Sequence, residues 1–319
     1  MHHCEPIRHA QPQGISRGKH LEWSPTTAEK HRMAVRFNEY IFGREHRTKI
    51  RQQEIHLTNP TIQAVAGSSV VFLLAGLKYD LKIWAESWPR IMANTIEACK
   101  RARARLVFFD NVYMYGKVNG PMTEDTPFNP TSKKGEIRAR IATSLITEWK
   151  AGSITAMIAR SADFYGPNTR TSVPNVLVFE PMSKKQIPSW LVNDSVPHSY
   201  TYTPDAAKAL LTLAESSSAW NQTWHLPTTP NSLMGKQFIA LAAKEFSVPP
   251  RYRVLSRPMI KIFGWFNSDI GESYEMLYQS DSPYLFESSK FARAFGVAGT
   301  PYADGIRLTA AWYKKPAAA

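Results

Sequence analysis

Apolar residues fall into two patterns that alternate along this chain. Unbroken short runs stand at Val70-Val71-Phe72-Leu73-Leu74-Ala75, Leu106-Val107-Phe108-Phe109, Ile154-Thr155-Ala156-Met157-Ile158-Ala159 and Thr223-Trp224-His225-Leu226. Runs of this length without polar alternation predict strands covered on both faces. Between the first two, Trp84 to Cys99 is helical in pattern. Between the second and third, Gly135 to Lys150 carries Ile137, Ile141, Leu145 and Trp149 four apart, on one stripe of a helix. Strands alternating with helices predict a parallel α/β sheet. From about Thr171 the pattern is less regular and richer in proline, with amphipathic pieces at Gly235 to Phe246 and Tyr302 to Tyr313. That half predicts a smaller, mostly helical second domain. Up to residue 56 the texture differs: seven of the nine histidines lie among polar and basic residues, and no strand-like apolar run appears.

Composition narrows the class. A chain of 319 residues suits one large or two coupled domains, and 43% hydrophobic against 20% charged residues excludes wholesale disorder. The longest near-continuous apolar run, Val70 to Leu77, falls far short of the ~20 residues of a membrane span. No apolar stretch follows the first basic residues as a secretory signal requires, so neither a membrane partner nor secretion is expected. Cys4 and Cys99 are too few for a disulfide framework or a structural zinc site, and a reducing cytoplasm is the expected location. Met1-His2-His3-Cys4 reads as a frayed terminus before a weak copper or zinc site, and no metal is expected. The formal charge of +13 is spread along the chain, densest from Lys100 to Arg105. With no nucleic-acid motif beside it, that run reads as a solvated helix end leading into the next strand. A general attraction to anionic ligands is what the charge supports.

From about Ile55 to Tyr313 the residues resemble a family. The run Val70 to Gly76 resembles a strand passing under a nicotinamide, and Asn94 to Ala98 resembles part of the helix after it. Leu106-Val107-Phe108-Phe109-Asp110-Asn111-Val112-Tyr113-Met114-Tyr115-Gly116 follows, then Met122-Thr123-Glu124-Asp125-Thr126-Pro127, and Arg160 through Pro167. Thr203-Pro204-Asp205-Ala206, Ser289-Lys290-Phe291, Phe295-Gly296 and Gly305 to Tyr313 complete the order. Together they resemble the extended short-chain dehydrogenase/reductases, the NAD-dependent epimerase/dehydratase group. The resemblance implies a Rossmann-type doubly wound parallel sheet that binds NAD or NADP. It also implies a C-terminal domain that closes over a small-molecule substrate, often a nucleotide sugar. It divides the chain into a divergent segment 1–54, a Rossmann-like domain of 55–170 plus 200–230, and a substrate domain of 171–199 plus 231–319. A homodimer is among the assemblies it allows.

In that family a Tyr-x-x-x-Lys pair and a Ser or Thr carry out proton transfer and hold the ribose. This chain departs at each position. Asn111 stands at the Ser/Thr position, Lys134 at the tyrosine and Arg138 at the lysine. By resemblance these three are the catalytic candidates. Ala75, Gly76, Arg138 and Arg160 are then the cofactor contacts, and Tyr113, Asp163 and His198 the substrate contacts. Asn111 can still hydrogen-bond a substrate oxygen. Lys134 acts as a base only if Arg138, four residues on, lowers its proton affinity; otherwise both are charges on a helix surface. Lys133, Lys134 and Arg138 crowd the first turns of a helix, where its dipole disfavours cations. A bound anion nearby would relieve them. His198 falls where the family clamps a diphosphate with arginine, and Asp163 where it has asparagine, so a nucleotide-sugar ligand is less expected.

A first strand with a glycine turn should lie within residues 1–50. Gly14, Gly18 and Gly43 form neither Gly-x-x-Gly-x-x-Gly nor Gly-x-Gly-x-x-Gly. Glu54 to Pro60 resembles the family's strand ending in an adenine-contacting aspartate, with His56 in the aspartate's place. The first ~50 residues thus read as replaced, truncated or mistranslated relative to a cofactor-binding ancestor. Three readings stay open: a working enzyme with atypical catalytic groups, a noncatalytic ligand-binding or scaffold protein, and the product of a gene damaged at its cofactor-binding end.

Overall fold

The computed structural model describes residues 58–315, together with the backbone of Met33–Ala34. Its main sheet has five parallel strands in chain order: β1 (Met33–Ala34), β2 (Val70–Leu73), β3 (Arg105–Asp110), β4 (Ala156–Arg160) and β5 (Thr223–His225). The four apolar runs are β2 to β5, their ends shifted by a residue or two. Met33 pairs with Val70 where no apolar run marks a strand; that pairing rests on backbone bonds, which hydrophobic periodicity does not report.

Helices cover both faces. In chain order they include α1 (Thr58–Val65), α2 (Leu81–Ala102), α3 (Lys133–Lys150), α4 (Thr203–Glu215), α5 (Gly235–Phe246), α6 (Arg257–Phe266), α7 (Ser268–Ser273), α8 (Ser289–Phe295) and α9 (Tyr302–Lys314). Side chains of a strand alternate between faces, and the core divides accordingly. Leu73, Leu106, Phe108 and Ile158 pack with Trp88, Ile91 and Ile96 of α2 and with Ile137, Ile141 and Leu145 of α3. Val70, Phe72, Val107, Met157 and Ala159 face Ala206, Leu210 and Leu213 of α4 and Phe291 of α8. Full burial of one such large apolar side chain contributes about 1.5–3 kcal/mol, so both faces hold the sheet. A further core joins Tyr165, Phe179, Trp190 and Tyr200 to Phe238 and Ile239 of α5 and Ile306 of α9.

Two local features aim α3 at the ends of the strands. Ser132 caps it, its hydroxyl accepting from Gly135 N at 3.0 Å. Gly135 lets the first turn press on the backbone of 113–115: a Cβ there would lie 2.6 Å from the Tyr113 carbonyl oxygen. Asp80 caps α2 in the same way, accepting from Ile83 N at 3.0 Å. The basic run ends α2 and opens β3, with Lys100 paired to Glu148 at 2.6 Å and Arg103 left-handed at φ 51°. Thr58, Asn59 and Pro60, read from sequence as the tail of a strand, begin α1 instead.

Candidate functional site

Asp110, Arg160 and His225 are the last residues of three neighbouring strands, and register pairs Asp110 with Arg160 and Arg160 with His225. An open α/β sheet binds ligands beyond these C-terminal ends. Here the row is buried, and its side chains contact one another, with Asp110 Oδ2 and Arg160 Nε and Nη2 left without a hydrogen-bond partner among the described residues. Arg138 Nε donates to Asp110 Oδ1 at 2.8 Å, and Nη2 of the same guanidinium donates to that oxygen as well. Arg160 Nε lies 3.7 Å from Asp110 Oδ2, and its Nη1 donates to the Tyr115 hydroxyl at 2.7 Å. Tyr115 meets His225 Nε2 at 2.9 Å, and His225 Nδ1 meets the Glu287 carbonyl at 2.8 Å. A carbonyl only accepts, so Nδ1 carries the proton and the Tyr115 hydroxyl donates to Nε2. Burial first, and then the Arg160 charge, push the imidazole down to about 3. His225 is therefore neutral at neutral pH. The guanidinium of Arg138 also lies 4.3 Å from the Trp88 ring and 5.0 Å from that of Phe108.

Lys134 is equally buried, at 1% exposure, but its partners come from far along the chain. Its Nζ donates to Glu272 Oε2 at 2.6 Å, to Glu275 Oε1 at 2.9 Å and to the Glu272 carbonyl at 2.9 Å. An ammonium has three hydrogens, and these acceptors take all of them. Both carboxylates also reach helix starts: Glu272 Oε2 accepts from Leu81 N at 2.9 Å, and Glu275 Oε2 from Lys133 N at 2.7 Å. Negative charge is favoured there by the helix dipole. The crowding of cations at the start of α3, which from sequence called for a bound anion, is relieved by Glu272, Glu275, Glu136 and Asp110.

The remaining sequence candidates gather nearby. Asn111 follows β3, and its Oδ1 accepts from Tyr113 N at 3.1 Å. The Tyr113 hydroxyl hydrogen-bonds that of Tyr79, and burial, followed by the Asp163 carboxylate, pushes it up to about 12. Tyr79 lies 4.7 Å from Lys134 Nζ, ring to nitrogen. Asp163 and His198, read separately from sequence, meet at 3.0 Å between Oδ2 and Nε2. The imidazole is stacked between Tyr200, at 4.5 Å, and Tyr284, at 4.3 Å. Burial, and then Asp163, hold both of those hydroxyls well above the usual phenol range. Asp163 itself is part exposed, at 30%. Ala75 is half-buried and Gly76 exposed, both just beyond β2. The glycines 14, 18 and 43, His56 and the first four residues lie outside the described residues. No group of His, Cys, Asp and Glu able to hold a metal occurs among the described residues.

Sheet, flanking helices and polar strand ends define a Rossmann-type α/β protein. Residues 35–225 match the NAD dependent epimerase/dehydratase family, more than half of the chain, and the chain belongs to that family. Solved structures agree on the fold. The UDP-glucuronic acid 4-epimerase of Bacillus cereus, bound to UDP-glucuronic acid and NAD, superposes with a TM-score of 0.67 at 15% identity, over 81% of this chain and 79% of that one. A dTDP-glucose 4,6-dehydratase from Streptomyces venezuelae, a double mutant bound to NAD, gives 0.66 at 14% identity, over 82% and 78%. The UDP-glucose 4-epimerase of Thermotoga maritima, bound to UDP-glucose, gives 0.66 at 16%, over 81% and 82%. No curated protein matches the chain at a significant level.

The family's cofactor can be tested against the residues at the ribose position. Arg138, which the family resemblance assigns to that position, has Nε and Nη2 both turned to Asp110 and lies against Trp88 and Phe108. A guanidinium held this way does not fit a family-type ribose contact. Sequence reasoning passed over Tyr115, His225, Glu272 and Glu275. For His225 a signal existed: like Asp110 and Arg160, it is a polar residue closing an apolar run. For Glu272 and Glu275 there was none, because their partner lies 138 and 141 residues away.

Proposed function

We propose that this chain is a binding member of the epimerase/dehydratase family. It takes a small sugar- or nucleotide-linked ligand near Asp163 and His198 without the Tyr-Lys proton transfer of the family. One observation carries the reading. Lys134, at the tyrosine position by resemblance, spends its three hydrogens on two carboxylates and a carbonyl of the same chain, and Arg138, at the lysine position by resemblance, is paired with Asp110. An ammonium with three acceptors has no lone pair to take a proton, and a guanidinium does not release one near neutral pH. The part-exposed Asp163 carboxylate, held by His198 and ringed by tyrosines, offers the polar contacts a hydroxylated ligand needs. NAD or NADP is at most a weak ligand in this reading, since the ribose position is occupied and no glycine turn is legible before residue 58. Damage at the cofactor-binding end of the gene fits the same picture.

A second reading keeps an activity. The Asp163–His198 pair at 3.0 Å has the form of an acid-base dyad, with Asn111 and Tyr113 positioned to hold an oxygen. One set of measurements separates the two. Calorimetry with UDP-glucose, UDP-glucuronate and dTDP-glucose should show binding that falls at least about tenfold in Asp163→Ala, the loss of a charged hydrogen bond. NADH and NADPH should bind more weakly than ~10 µM, because lost amide contacts move a micromolar site towards millimolar. Product formation from any of these sugars would overturn the noncatalytic reading, and its loss in His198→Gln would establish the second.

A further inference from the structure

Helix α6 presents an apolar stripe to solvent. Met259, Ile262, Phe263 and Phe266 recur at the spacing of one helical face and are 40%, 49%, 43% and 85% exposed. Trp265 beside them is 75% exposed. The opposite side of the helix is the packed one: Ile260 is buried at 3%, and Gly264 meets Gly271 of α7 so closely that a Cβ on Gly264 would lie 2.9 Å from the Gly271 Cα. Contiguous exposed apolar surface on this scale marks an interaction site.

Charge identifies what it meets. Arg251, Arg253, Arg257 and Lys261 lie in the same stretch, and no acidic residue occurs between Phe246 and Ser268. Arg251, Arg253 and Lys261 are exposed, and only Arg257 has an acidic partner, Asp281. A second copy docked face to face would set these cations against their own counterparts, which repel. Trp265 and Phe266 stand exposed at the helix end, a shape suited to a fluid phase. An amphipathic helix with aromatic residues on one side and cations beside them is the form that lies in a lipid interface. We propose that α6 docks this protein on an anionic bilayer surface. The helix is too short to cross one, and among the described residues no helix is long and apolar enough to do so. The sequence reading of no membrane partner weighed only a span. This inference stands apart from the ligand reading at Asp163.

Vesicle flotation of the purified full chain tests it, with liposomes of phosphatidylcholine alone and of phosphatidylcholine mixed with phosphatidylglycerol. Binding is expected to the mixed vesicles and to weaken with added salt. The double variant Trp265→Ser/Phe266→Ser should lose at least about tenfold in partitioning, from the apolar area no longer buried. Arg251→Glu/Arg253→Glu/Lys261→Glu should abolish the preference for anionic lipid. A control, Val297→Ser/Leu308→Ser, changes exposed apolar residues elsewhere and should float like the unaltered chain. Light scattering without lipid, and circular dichroism of each variant, complete the set. The proposal fails if the unaltered chain floats with neither vesicle, or if the Trp265/Phe266 variant floats equally well. It also fails if that variant dissolves a dimer that the unaltered chain forms in solution.

Discussion

Two buried ionic centres stand side by side at the top of the sheet, and they are built differently. Around Asp110 the partners are strand ends in register and a residue of the helix packed beneath them. Around Lys134 they are Glu272 and Glu275, delivered by a segment more than a hundred residues away. The first centre is a consequence of the sheet: once β3, β4 and β5 pair, Asp110, Arg160 and His225 must meet. The second is a contact between two parts of the chain that the sheet does not enforce. Each neutralises one of the two cations, Lys134 and Arg138, that the family resemblance assigns to reacting positions. Only the second can be opened without unmaking the fold.

The largest effect should come from the first centre. Asp110→Asn removes the charge facing Arg138 and Arg160, both almost fully buried. Breaking a buried ion pair from one side costs about 3–5 kcal/mol, because the remaining charge is left without compensation. Urea unfolding of the variant should show that loss as a lower midpoint. A cost under about 1 kcal/mol would mean that the guanidinium groups find other partners, and that the row is not the structural centre described above.

The second centre should respond less, and asymmetrically. Glu272→Gln/Glu275→Gln leaves a buried ammonium with weaker acceptors and should cost about 1–3 kcal/mol. Removing the cation instead, with Lys134→Met, leaves two carboxylates that are 30% and 26% exposed and still cap two helix starts. Water can reach them, so this variant should lose less than the double glutamine variant. Equal losses, read by the same urea titration, would show that Lys134 is no more dependent on its partners than they are on it.

That contrast also explains what could be read from the sequence. The strands and helices were legible because apolar periodicity is local: Gly235 to Phe246 forms α5, and Ile137, Ile141 and Leu145 are buried on one stripe. Asp110 and His225 carried a weaker signal, as polar residues closing apolar runs. Pairing at long separation carries none, and so the bound anion expected near Lys134 turned out to be two glutamates of the same chain. Asp163 and His198 were each found through the family resemblance, but their meeting at 3.0 Å depends on how β4 and the strands after it fold back. The exposed stripe of α6 was visible only once Ile260 and Gly264 had taken the inner side of that helix.

The smallest effect, and the most specific to the strand-end row, is a pH dependence. His225 is held neutral down to about 3 in the fold, while in the unfolded chain an imidazole titrates near 6.5. Between those values the unfolded state binds more protons than the native one, so stability rises with pH across the window and falls as acid is added. Above pH 6.5 the contribution is fully present. From pH 7.5 to 5.5 the loss should be about 1.4 kcal/mol, the equivalent of one pKa unit. His225→Gln supplies the comparison: its amide oxygen can accept from the Tyr115 hydroxyl, but it takes up no proton in either state. Urea unfolding of both proteins at pH 7.5, 6.5 and 5.5 isolates the imidazole, since every other titrating group is common to the pair. The unaltered chain should lose about 1.4 kcal/mol more than the variant. Parallel pH profiles would mean that His225 is protonated inside the fold, with Tyr115 turned away from it and the row open to solvent.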